Sequence, residues 1–574
     1  MKMVVAQMYN CIRMEFRKCF HSHNFIISMA TCVLLALSSA SYCCQGYLNI
    51  HDALDQYCFE NGHMVSNELF PVWTSYNYWI GGESETLAYS AFYTLLPLFA
   101  ILPHSLSCLQ EKKSSYANQM IVRVGRQPYY LSKGIVCFFA AFITIVIPLI
   151  LNFAVTAAFI PSTVPQINYE IYNHVYFGAM WADLFYTHPA LYVALYILLD
   201  GLFAGLIALI GYAFSFYITN SFAAAAFPLL LFWGIDYLSG LLARAIPGAK
   251  WSYEISPIAY LHSATLRYDP NAAIILIELS CCFVQQSQSF SKGEYGMNRS
   301  NPFRFDLRNG IRFIAKKFLV LPLLVSLVCF EFMLRLRETA SLNHQYAGAQ
   351  PTLGDFAMYL FGGMKPYIPN PDEPFLFPVS WFLVFGICLF LTLYYPVYDR
   401  DTFGKMVIVY SGSRTKWWTA KCAWIIVATF LYFFLCWILL IINCLLYGGQ
   451  FTLSVSPYMS DIFLLRETVP PDQWNVCHVL LLMPPLIASS FGILQMLLTL
   501  WFRPIICFLI SAILMLASAY FCVPVLILNY AFCIRSNEIL VDGFSFPSGI
   551  VYALALSLLC MFIGRHRFRN FDLY

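Results

Sequence analysis

Charge is scarce in this chain. Only 11% of its 574 residues are Asp, Glu, Lys or Arg, while 60% are hydrophobic. Soluble domains run at roughly 25% charged and about half apolar, so a soluble globular fold is a poor description. The net charge is only +3, which gives no reason to expect nucleic acid as a partner. No CxxC or Cys/His spacing points to zinc. The 20 cysteines fall mostly in apolar runs, as at Cys329, Cys388, Cys436 and Cys507, where Cys behaves as a small hydrophobe. No GxxxxGK[ST] is present, so no nucleotide-binding loop belongs to this chain. No Gly/Ser or Pro-rich linker, low-complexity tract, Ser/His/Asp order or metal-ligand helix stands out. No catalytic residue and no bound cofactor is expected.

What is abundant is apolar and aromatic. Phe, Trp and Tyr make up 18% of the chain, and Trp and Tyr favour bilayer interfaces. A spanning helix needs about 20 apolar residues. Twelve such segments are read, at roughly 25–47, 88–108, 135–160, 189–217, 220–244, 270–286, 318–334, 378–397, 421–447, 477–501, 504–532 and 548–564. The first has no clear cleavage site and reads as a retained anchor. With both termini cytoplasmic, 25 of the 33 Lys and Arg fall on the inner side and 8 outside, as the positive-inside rule requires. The expectation is an all-α, multi-pass plasma-membrane protein. The outer segment 49–87 holds six acids and no Lys or Arg, and reads as a small cap or short interfacial helices. Cys43, Cys44 and Cys58 lie near that face. Free thiols are the default there and a disulfide is the alternative.

The chain repeats itself. "EKKSSYANQMIVRVGRQPYYLSKG" begins at Glu111, and "DRDTFGKMVIVYSGSRTKWWTAKC" begins at Asp399. A shift of 288 residues places Glu111 on Asp399, Arg126 on Arg414, Tyr129-Tyr130 on Trp417-Trp418 and Lys133 on Lys421. Further matches follow with small changes of register. "RMEFRKCF" from Arg13 resembles "RFIAKKF" from Arg312, and "DPNAAIILIELS" resembles "FPSGIVYALALS". Two like-oriented six-span units are expected, at 1–290 and 318–574, joined by a basic amphipathic segment at 291–317.

The order within each unit resembles the permease subunits of ABC-2 type exporters. In that pattern an acid follows span two, an Arg-containing turn comes next, and a Lys enters span three. Glu111, Arg126 and Lys133 match it, as do Asp399, Arg414 and Lys421. "SPIAYL" at Ser256–Leu261 resembles the family's short outer helix, and "GRHRFRNFDL" its basic tail. The usual member has one six-span unit and dimerises, whereas here two appear fused. The resemblance implies ATP-driven export of a hydrophobic or amphiphilic substrate such as a peptide, drug or lipid-like molecule. ATP and Mg would sit on separate ABC ATPase subunits, in two copies, and membrane lipid would surround the spans. The loop after span two would form a short coupling helix against the ATPase. The residues it assigns to that contact are Glu111, Arg126, Tyr129, Tyr130, Asp399, Arg414, Trp417 and Trp418.

Plainer readings stand beside these. Lys133 and Lys421 read chiefly as positive-inside topology signals, and the aromatic pairs as residents of the lipid interface. Within the spans, Asp200, Asp236 and Glu278 are ionisable and so are site candidates. Asp200 and Asp236 are assigned to a substrate path, against a carboxyl simply hydrogen-bonded to a neighbouring helix. Gly201 and Gly205 form a small-xxx-small pattern that suits close helix packing. An ion-coupled secondary transporter of twelve spans is the alternative function.

Overall fold

The computed structural model describes residues 2–61, 73–263 and 320–569, apart from 115, 174, 177–178, 218–219, 247, 249–254, 347, 370–374, 376, 402–413, 466–467 and 471–473. The described residues are mostly helical, with isolated bridges but no strands. Eight helices are long and apolar enough to cross a membrane. The chain is a multi-pass helical membrane protein. It divides into two compact units, Met1–Lys292 with Pro369–Phe375, and Gly293–Ile368 with Leu376–Tyr574.

In the first unit the longer helices are α1 (Lys2–Phe20), α2 (His23–Asn61), α3 (Leu87–Thr94), α4 (Leu96–Ile101), α5 (Ser107–Lys113), α6 (Tyr116–Val124), α7 (Arg126–Phe159), α8 (Pro189–Tyr217) and α9 (Ser221–Ala245). The core is built where α7 meets α2 and α8. Gly201 and Gly205 of α8 make this possible. A Cβ on Gly201 would lie 2.5 Å from Val146, and one on Gly205 2.5 Å from Phe138.

In the second unit they are α10 (Val320–Leu342), α11 (Leu353–Phe361), α12 (Val379–Asp401), α13 (Arg414–Leu446), α14 (Cys477–Leu498), α15 (Pro504–Tyr520) and α16 (Phe546–Arg569). Here α14 is central, against α12, α13, α15 and α16. Its Pro484 and Pro485 each remove a helical donor. The Ser489 hydroxyl bonds back to the Pro485 carbonyl at 2.7 Å, one turn earlier on the same helix.

Twelve uninterrupted spans are not what the described residues show. The stretch 88–108 is broken into α3, α4 and the start of α5. Pro103 has no N–H to give the carbonyl four residues back. That carbonyl, on Phe99, accepts instead from the Ser28 hydroxyl at 2.9 Å. Helix α10 is long enough, but its second half carries Glu331, Arg335, Arg337 and Glu338. Helix α15 stops at Tyr520, after 17 residues. Its terminal carbonyls on Ser518 and Ala519 are capped by the buried Arg535 guanidinium, both at 2.7 Å. The segment 270–286, with Glu278, lies outside the described residues, as do the linker 291–317 and the side chain of Cys58. Cys43 and Cys44 are free and buried.

The outer segment contributes to the core of its unit. Trp79 and Ile80 are fully buried. The Ile80 N–H donates to Asn152 Oδ1 at 2.8 Å, which ties this segment to the C-terminal part of α7.

Candidate functional site: a repeated buried ion pair

The two repeated loops lead into helices that begin at equivalent residues, Arg126 for α7 and Arg414 for α13. Both helices therefore start before the apolar runs at 135 and 421, and the loop aromatics and lysines occupy their first turns. Tyr129 and Lys133 are four residues apart, as are Trp417 and Lys421, so each pair shares one helix face.

That face meets the acid of its own loop. In the first unit the Tyr129 hydroxyl donates to Glu111 Oε2 at 2.7 Å. Lys133 Nζ is 3.1 Å from the same oxygen. In the second unit the Trp417 indole N–H donates to Asp399 Oδ2 at 3.1 Å, and Lys421 Nζ is 2.8 Å from it. Each ammonium also stands 5.3 Å from the centre of its aromatic ring. Acid, aromatic donor and lysine recur member for member at the 288-residue offset.

Both lysines have no exposed surface. A buried charge without a partner is very costly, so these are structural ion pairs and not merely topology signals. The interface reading of the aromatics also needs correction. Tyr129, Trp417 and Trp418 are buried within their own units.

The first-unit joint extends to α1. Glu15 is 2.8 Å from Lys133, 3.2 Å from His104 Nε2 and 3.4 Å from Lys18. Lys18 in turn lies 3.1 Å from Glu111 and donates to the Tyr116 hydroxyl at 3.2 Å. Burial pushes the Glu15 carboxyl up, but the hydrogen bond from His104 and the charge and hydrogen bond of Lys133 outweigh it and hold it at about 2. Sequence reasoning missed Glu15, Lys18 and His104. The one available signal was an acid set among basic residues in "RMEFRKCF". In "RFIAKKF" Ile314 occupies that place, outside the described residues.

The short helix α6 lies over this joint. Ala117 and Met120 face inward against Tyr129. Asn118, Gln119, Val122 and Arg123 face outward and are exposed, as is Arg126 at the start of α7. Tyr130 is half-buried, edge-on to Tyr129 and Phe216.

In the second unit Arg414, Trp417 and Trp418 turn toward the chain's own last helix. Arg414 donates to the Arg569 carbonyl at 3.1 Å. The Trp418 indole N–H donates to the Met561 carbonyl at 3.2 Å. Phe568 stacks on Trp417 with ring centres 4.9 Å apart.

No family model, curated protein or solved structure matches this chain. Its chemistry is therefore read from its own geometry. No group of three or more possible metal ligands occurs among the described residues.

The path residues sit apart from the joints. Asp200 in α8 is fully buried and accepts from the Tyr93 hydroxyl at 3.2 Å. Asp236 in α9 accepts from the Ser256 hydroxyl at 2.6 Å.

Proposed function

We propose that this chain is the membrane permease of an ATP-driven exporter of ABC-2 type, with two six-span units in one polypeptide. Its substrate is hydrophobic or amphiphilic, a peptide, drug or lipid-like molecule. ATP and Mg are held by two copies of a separate ABC ATPase on the cytoplasmic side of the plasma membrane. The observation that carries this reading is the recurrence of one ion-paired joint at the start of a long membrane helix in both units. A separate motor moves a membrane helix only through a contact that does not yield. A buried lysine bonded to an acid near the end of the preceding helix fixes that helix end to the next helix, so a push on one is delivered to the other. In the first unit the exposed face of α6, with Arg126 beside it, offers the push a surface. In this reading Arg126 is the group that meets the motor. Glu111, Tyr129, Asp399 and Trp417 hold the joint behind that surface, with Tyr130 packed beside it, and Arg414 and Trp418 brace the last helix.

The test is purification of the full-length chain from its own cells. An ABC ATPase subunit co-purifies with the wild type, and Val122→Glu with Arg126→Glu releases it while the chain stays folded. A chain that transports substrate with no ATPase present, and stops when a proton ionophore is added, is instead an ion-coupled transporter. The buried Asp200 is the observation that favours that second reading.

A further inference from the structure

Among the described residues, Asp200 is a carboxyl within a membrane helix of the first unit that is fully buried with one oxygen left over. Its Oδ2 accepts from Tyr93, and its Oδ1 has no hydrogen-bond partner. The groups around it are neutral. Tyr93 comes from α3, and Tyr196 lies one turn back on α8 itself. On the α7 side, Phe142 and Val146 crowd the adjacent Gly201. His262 packs its ring 5.5 Å from the Tyr93 ring, and its Nε2 lies 2.8 Å from the Glu83 carbonyl. No Lys or Arg among the described residues pairs with Asp200.

An ionised carboxylate needs several donors or a cation to replace its water. One phenol does not supply that. In lipid the demand is stricter, because no solvent makes up the difference. A neutral carboxylic acid costs far less to bury: one oxygen accepts from Tyr93 and the other carries the proton, and no charge is left without solvent. A proton also needs no cavity, only an oxygen to hold it.

We propose that Asp200 is a proton-binding site inside the membrane, occupied at neutral pH, with Oδ1 carrying the proton and Oδ2 accepting from Tyr93. This concerns the resting chemistry of the first unit and does not depend on what energy source drives the protein.

Infrared difference spectroscopy of the full-length chain in lipid nanodiscs tests it. The wild type minus Asp200→Asn spectrum at neutral pH is expected to show the C=O stretch of a protonated carboxylic acid, with the carboxylate bands unchanged. Loss of carboxylate bands in the variant, with no acid band in the wild type, overturns the proposal. Tyr93→Phe decides the matter should Asp200→Asn fail to accumulate. It removes a hydrogen bond from the acid, so the wild-type C=O band moves to higher frequency. A spectrum unchanged in that region overturns the proposal as well.

Discussion

The ammonium of Lys133 lies 2.8 Å from the carboxylate of Glu15, across 118 residues of sequence, and neither group has appreciable contact with solvent. The pair welds the amphipathic helix α1 to the first turns of α7. Its counterpart in the second unit, Lys421 with Asp399, spans only the loop. The two joints share a centre and differ in reach.

This difference predicts unequal costs. Removing one partner of a buried pair costs about 3–5 kcal/mol, because the other charge is stranded. Lys421→Met leaves Asp399 with the Trp417 N–H as its described donor. Lys133→Met leaves Glu15 with His104 and Lys18. Thermal unfolding in detergent is therefore expected to show a larger loss for Lys421→Met than for Lys133→Met. Arg126→Ala, at an exposed position, stays within about 0.5 kcal/mol of wild type. Adding Asp399→Asn to Lys421→Met recovers part of the loss, since no charge is then left buried.

The repeat is legible in the sequence because charged and aromatic residues are rare there. A fixed offset that aligns an acid, an Arg, an aromatic pair and a Lys stands out from the apolar background. The helix starts are not legible in the same way. Hydropathy averages over a window, so the polar first turns from Arg126 and Arg414 are assigned to the loops. The same averaging hides the break in 88–108, where Pro97 and Pro103 interrupt a run that remains apolar. The contacts of Glu15 with His104 and Lys133 are tertiary. No local pattern reports which acid meets which base across a hundred residues.

Glu15 gives a pH signature. Its carboxyl is held at about 2 in the folded chain against an ordinary 4.5. A depressed carboxyl contributes stability that is fully present above its unfolded pKa and disappears as pH falls through the folded one. The contribution at neutral pH is about 3 kcal/mol at most, from the shift at 1.36 kcal/mol per unit. Wild type is therefore expected to exceed Glu15→Gln in stability at pH 7, with the gap closing steadily from about pH 4.5 toward pH 2. A gap that is constant over that range refutes the assignment. Melting curves of the two proteins at stepped pH give the answer.

Gly205 and Gly201 predict a packing limit. A methyl at Gly205 meets the Phe138 ring, and one at Gly201 meets both Val146 and Phe142. Gly205→Ala is expected to lower stability by about 1–3 kcal/mol, the usual cost of overpacking, and Gly205→Val by more. Phe138→Leu makes room and is expected to restore part of the Gly205→Ala loss. Failure of that rescue, measured by the same unfolding assay, removes the close crossing of α7 and α8 as the cause.

Arg535 predicts a dependence on shape as well as charge. Its guanidinium donates to Ser518 and Ala519 at the end of α15, to the Met364 and Lys365 carbonyls at 3.1 Å each, and to Asn529. Burial pulls its pKa down to about 10, so it remains charged at neutral pH. Lysine keeps the charge but has three donors on one nitrogen in place of a planar fork of five. Arg535→Lys is expected to lose stability nearly as much as Arg535→Met, by about 3 kcal/mol. Near-wild-type melting of the Lys variant shows that charge alone suffices.

The last helix is held by a ring against a glycine. The Trp418 indole covers Gly564 so closely that a Cβ there would lie 1.9 Å from its Cζ2 atom, and the indole N–H is bonded to Met561 O. Both contacts anchor α16, which packs on α14 and is exposed along Val551, Leu558 and Phe562. Gly564→Ala therefore cannot be absorbed without moving either Trp418 or the helix end. Moving the helix end breaks the Phe568 stack on Trp417, and Trp417 is the donor to Asp399. The substitution is expected to act on the joint through this chain of contacts. Amide exchange at 561–569 and at the first turn of α13 rises together in Gly564→Ala, while exchange in the middle of α13 is unchanged. Trp418→Phe, which keeps the ring but loses the indole donor, raises exchange at 561–569 with little change in α13. Equal exchange in both regions for all three proteins separates the last helix from the joint.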